Sequence, residues 1–77
     1  MIVLLFARAK DRIGADQIEM NEAATVGDLR RQMRERFPNV AGLLERSAFA
    51  VNDEFADDAA PIPTGAEVAL LPPVSGG

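Results

Sequence analysis

The residues best suited to chemistry in this 77-residue chain stand at its end, Pro72-Pro73-Val74-Ser75-Gly76-Gly77. A terminal glycine carboxylate has no Cβ beside it, so a second protein can approach Gly77 closely enough to adenylate it, and a nucleophile can then displace the nucleotide. The two prolines favour a stiff, extended exit, and the residues beyond Val74 are small enough to enter a narrow channel. Such a reaction draws on no side chain of this chain. Two final glycines alone say little: glycine makes up about 7% of residues, so roughly one chain in 200 ends this way by chance, as a frayed end or a cloning remnant. Their weight comes from agreement with the double proline and with the elements that precede it.

Other chemistry is scarce. The chain has no cysteine and no histidine, which removes thiolate nucleophiles, the commonest metal ligands and the side chain best suited to proton transfer near neutral pH. Asp53, Glu54, Asp57 and Asp58 form an acidic cluster, but it lacks the glycine and the spaced oxygen ligands of a calcium loop and reads as a solvated, charged turn. No metal site is expected. A net charge of -4 argues against nucleic acid as a partner and for proteins with basic patches. Lys10 is the sole lysine, which makes lysine-linked polymers an unlikely purpose. The apolar run Ile2 to Ala7 is too short to cross a bilayer, and neither a basic segment nor a small-residue cleavage site flanks it. A cytoplasmic protein without a membrane partner is the expectation.

Apolar residues make up 48% of the chain, enough for one modest core. The expected organisation is a single domain over residues 1–71 followed by a tail over 72–77. Ile2 to Ala9 reads as a strand apolar on both faces, and Lys10 to Ala15 as a polar loop closing at Gly14. Asp16 to Met20 alternates as a half-buried partner strand would. Thr25 is a helix N-cap with Asp28 at the third helical position, and Val26, Leu29, Met33 and Phe37 recur as one apolar stripe that Pro38 stops. Arg30, Arg31, Arg34 and Glu35 then fall on a solvated face. Leu43 and Leu44 plug the core from a short turn, Ala48 to Val51 is a third strand, and Asn52-Asp53-Glu54 turns the chain before Phe55. After a turn at Thr64-Gly65, Glu67 to Leu71 forms the last strand, which Pro72-Pro73 ends. Strand, strand, helix, strand, strand predicts an α+β fold of β-grasp type, a mixed sheet packed on one main helix. Its first and last strands should lie side by side at the centre.

That arrangement leaves apolar surface over. If Val3, Leu5, Val68 and Leu70 face the helix, alternation sends Leu4, Phe6, Ala69 and Leu71 to the other face, and Phe55 extends that patch. The patch is a docking surface for a larger protein, unless Phe6 or Phe55 folds back into the core.

These residues resemble the MoaD/ThiS group of sulfur carriers, the family of the small subunit of molybdopterin synthase. The likeness rests on Leu5-Phe6-Ala7, Thr25-Val26-Gly27-Asp28-Leu29, Val51-Asn52 and the stretch from Thr64 to Gly77, whose ending is the most specific part. The resemblance implies a sulfur carrier for molybdopterin. A ubiquitin-activating-like adenylyltransferase spends ATP on the Gly77 carboxylate, sulfur replaces the AMP to give a thiocarboxylate, and the large synthase subunit receives the tail. Two such sulfurs build the dithiolene from a cyclic pyranopterin precursor. It further implies a heterotetrameric synthase in which this chain is the non-catalytic sulfur donor and holds no permanent cofactor. Phe6, Phe55 and Leu71 match docking positions, with Pro72, Pro73, Val74, Ser75 and Gly76 leading to Gly77. Leu70-Leu71 departs from the aromatics that many relatives carry there. Three other readings stand: a carrier for thiamin thiazole synthesis, whose members usually lack the Pro-Pro step; a ubiquitin-like modifier joined to lysines; and an adaptor whose tail does nothing.

Overall fold

Alternation makes Ile2–Leu5 a strand, β1, with Val3 and Leu5 turned into the core and Ile2 and Leu4 turned out. In the computed structural model, which describes residues 1–73, the strand stops there instead of running to Ala9. Ala7 takes a left-handed φ of 51°, and Ala7–Ile13 winds into a helix, α1, closed by Gly14 at φ 86°. The expected loop from Lys10 is therefore largely helical. The cause is local: Ala7, Arg8, Ala9, Lys10 and Arg12 are strong helix formers, Ala9 and Ile13 lie four apart on one face against the core, and glycine suits the left-handed stop.

Strand β2 (Gln17–Glu19) pairs antiparallel with β1 and sets Ile18 opposite Val3. The main helix, α2 (Val26–Arg36), begins as expected, with the Thr25 hydroxyl accepting from the Asp28 amide at 3.2 Å. The chain around residues 58–60 satisfies the two amides before it: Val26 N–H donates to the Ala60 carbonyl at 3.0 Å and Gly27 N–H to the Asp58 carbonyl at 2.9 Å. A Cβ on Gly27 would lie 3.2 Å from that Asp58 oxygen, which explains the glycine. Val26, Leu29 and Met33 are fully buried, and Phe37 is packed partly against the core where the helix stops.

A 3-10 turn at Pro38–Val40 leads into a short helix, α3 (Ala41–Arg46), so Leu43 and Leu44 reach the core from a helix rather than from a turn. Strands β3 (Ala48–Val51) and β4 (Glu54–Ala56) form a hairpin about Asn52 and Asp53, both left-handed at φ 51° and 67°. Strand β5 (Val68–Leu71) completes the sheet in the order β2-β1-β5-β3-β4, parallel to β1 and antiparallel to β3. The expected central pairing of first and last strands is present, and the architecture is the α+β, ubiquitin-like β-grasp, with α1 and α3 added to the expected single helix and β4 to the expected four strands.

Arg30 corrects the expected solvated face of α2. Its side chain is only 11% exposed and donates to the carbonyls of Leu44 at 2.6 Å and Ser47 at 2.7 Å and to the Asp58 carboxylate at 2.8 Å. The guanidinium also lies over the Phe49 ring, 5.1 Å from its centroid. It thus ties α2 to the end of α3, the start of β3 and the 57–62 segment. Arg31 and Arg34 stay at the surface, paired with Asp28 and Glu45.

Candidate functional site

Parallel pairing in the register Val3 to Val68, Leu4 to Ala69 and Leu5 to Leu70 brings β1 and β5 to an end side by side. Phe6, the residue after β1, and Leu71, the last residue of β5, therefore stand at the same end of the sheet. Pro72 follows Leu71 without an N–H to continue the ladder, so the chain leaves the sheet beside Phe6. Phe6 is extended (φ -132°, ψ 157°) and 44% exposed, and Leu71, Pro72 and Pro73 are half-buried.

Alternation continues across the sheet. Leu4 pairs with Ala69, Ala69 with Ala50, and Ala50 with Phe55, which makes one row over four strands on the face away from α2. At the usual strand spacing, Leu4 and Phe55 are about 14 Å apart. Phe55 is 77% exposed and forgoes about 2 kcal/mol of burial. Among the described residues Ile2, Phe6 and Phe55 are the large apolar side chains left exposed, and all three lie on this face. The alternative in which Phe6 or Phe55 folds back into the core is thereby excluded; Phe49 takes the core position instead.

Around Phe6 the face deepens into a hollow of about 400 Å³ lined by Leu4, Phe6, Ala7 and Gln17, with Lys10 and Asp16 at its rim. Lys10 and Asp16 form an ion pair at 2.8 Å, and this hydrogen bond holds the ammonium above the ordinary lysine range. The acidic cluster is partly spent on structure: Asp58 pairs with Arg30, and the Asp57 carboxylate accepts from the Ala59 amide at 3.1 Å. Among the described residues no group of acidic side chains is arranged to hold a metal ion, and no helix is long and apolar enough to cross a membrane.

The structure thus brings Phe6, Leu71, Pro72 and Pro73 to one end of the central strands and sets Phe55 two strands beyond β5 on the same face. Val74, Ser75, Gly76 and Gly77 lie outside the described residues. Sequence reasoning missed the left-handed turn at Ala7 that re-aims the chain after Phe6. The helix that follows had a signal, since two alanines and three basic residues fall among the seven positions before Gly14, but nothing local marked the left-handed backbone of Ala7.

Comparison with known proteins agrees with this geometry. The chain is 38% identical to a molybdopterin synthase sulfur carrier subunit from Dictyostelium discoideum, over 97% of this chain and 93% of that one. In structure it is similar to small archaeal modifier protein 1 of Haloferax volcanii (TM-score 0.74, 25% identity, 95% of each chain covered). It also resembles a chain in the Helicobacter pylori complex of subunits 1 and 2 of molybdopterin-converting factor (TM-score 0.68, 27% identity, 99% of this chain and 96% of that one). The model of the ThiS family matches residues 3–77, and with the fold and the matching relatives on the same side, this chain belongs to the ThiS family.

Proposed function

We propose that this protein is the sulfur carrier of a molybdopterin synthase and acts through the carboxylate of Gly77. An adenylyltransferase of the ubiquitin-activating kind joins that carboxylate to AMP from ATP, with release of pyrophosphate. A sulfur donor then displaces AMP to leave a thiocarboxylate. Docked on the large subunit through Phe6, Phe55 and Leu71, the domain directs Pro72 to Gly77 into the partner, where the sulfur passes to a cyclic pyranopterin precursor and the carboxylate is regenerated. Two such transfers supply the dithiolene. ATP is consumed by the activating enzyme, this chain holds no cofactor of its own, and two copies of each subunit form the synthase.

The observation that carries this reading is that the chain leaves the sheet after Leu71, beside Phe6, next to the face where, among the described residues, the large apolar side chains stay open. The relatives support it by name, and the Helicobacter pylori structure supports a large-subunit partner. Intact mass spectrometry after incubation with ATP, an activating enzyme and a sulfur source tests it. We expect one oxygen exchanged for sulfur at Gly77; an unchanged mass beside a converted control carrier would overturn the proposal in favour of an adaptor. The similarity to the archaeal modifier favours one second reading, conjugation of Gly77 to lysines of other proteins. That reading requires isopeptide-linked products on a denaturing gel.

A further inference from the structure

Among the described residues, three that are not glycine have a positive φ. Asn52 and Asp53 form the tip of the β3–β4 hairpin, where such angles are usual, whereas Ala7 stands alone between a strand and a helix. Alanine has no side-chain hydrogen bond to compensate a left-handed backbone, so this conformation is held by its surroundings. Those surroundings converge on its neighbour. The Leu5 amide donates to the Asp16 carbonyl at 2.8 Å, and the Phe6 carbonyl accepts from the Ala9 and Lys10 amides at 3.2 and 3.3 Å. Ala9, two residues on, is fully buried. Phe6 is thus fixed on both sides while its ring stays open to solvent as one wall of the hollow beside Leu4 and Gln17.

We infer that Ala7 is a positioning residue for partner docking: its constrained left-handed backbone presents the Phe6 ring in its bound orientation before the large subunit arrives. The inference rests on the proposed docking of this face on that subunit. A side chain ordered in advance loses less entropy on association, so freeing the turn should weaken binding without weakening the fold. Glycine frees it, because it accepts the left-handed region and much else besides. Asparagine tolerates that region but keeps a Cβ that limits the alternatives.

The test is a binding titration of the full chain against the purified large subunit, with thermal unfolding measured in parallel. Ala7→Gly should unfold at or above the wild-type temperature yet bind about 3- to 10-fold more weakly, while Ala7→Asn binds within about 2-fold of wild type. In a double-mutant cycle, Ala7→Gly should add less than about 2-fold to Phe6→Ala, because the turn acts through that ring. Wild-type affinity for Ala7→Gly, or a full additional loss on top of Phe6→Ala, would overturn the inference. If Phe6→Ala itself binds as wild type, the docking reading fails first; if Phe6→Ala binds weakly and Ala7→Gly does not, the role of Ala7 alone fails.

Discussion

Arg30 and Phe55 occupy opposite environments, and each makes a different demand on the sequence. The Arg30 guanidinium serves three carbonyls, those of Leu44, Glu45 and Ser47, and one carboxylate in a site nearly closed to water. Arg30→Ala should lower stability by about 2–3 kcal/mol, seen as a fall in the urea midpoint. Arg30→Lys should recover less than half of that, because one ammonium cannot reproduce the planar fork. Phe55→Ala should change stability by no more than about 0.5 kcal/mol, since most of the ring is in solvent. Its affinity for the large subunit should nevertheless fall by about 10-fold or more in a titration. Phe55 was legible because a phenylalanine directly after an acidic turn has few routes to a core. Arg30 was not, because helical periodicity sorts the residues of one helix and its partners come from α3, β3 and the 57–62 segment.

At the scale of elements, the start of α2 and the β3–β4 hairpin show local rules meeting tertiary ones. Thr25 and Asp28 marked the helix start correctly, yet the reason for Gly27 is a carbonyl more than 30 positions along, at Asp58. Gly27→Ala gains helix propensity but pushes a Cβ against the Asp58 carbonyl oxygen, which Gly27 N–H holds while Arg30 holds the Asp58 carboxylate. We expect a net loss of about 1 kcal/mol in urea unfolding. At the hairpin, Asp53→Gly relieves a left-handed non-glycine backbone at roughly 1 kcal/mol and loses part of that to glycine's greater unfolded entropy. The net gain of about 0.5 kcal/mol should raise the melting temperature by about 2–4 °C. The first strand was read too long for a related reason. Ile2 to Ala9 is apolar enough for a strand throughout, but from Ala7 on the helix formers and the buried Ala9 outweigh that pattern.

Taken whole, the described residues 1–73 share one core, and the proposed reaction belongs to Gly77, outside them. Removing Gly77 should leave both the urea midpoint and docking on the large subunit unchanged, because the described core is built from Val3 to Leu70, while sulfur transfer falls to background in a reconstituted synthase assay. A truncated chain that still transferred sulfur would place the reactive group elsewhere. Whereas α1, α3 and β4 did not follow from the sequence alone, strands β1, β2, β3 and β5, helix α2 with its buried stripe, the split of β1 and β5 into inner and outer residues and the character of the final six residues did. These are local properties, set by periods of two and 3.6 residues and by the conformational limits of proline and glycine. What only the tertiary structure decided is that β1 and β5 run parallel in the register Val3 to Val68, that Ala69 and Ala50 join Leu4 and Phe55 in one row across four strands, and that Arg30 is interior. Those outcomes join segments from distant parts of the chain, and the pairing between them is chosen by the packing of the whole core rather than by any one segment's preference.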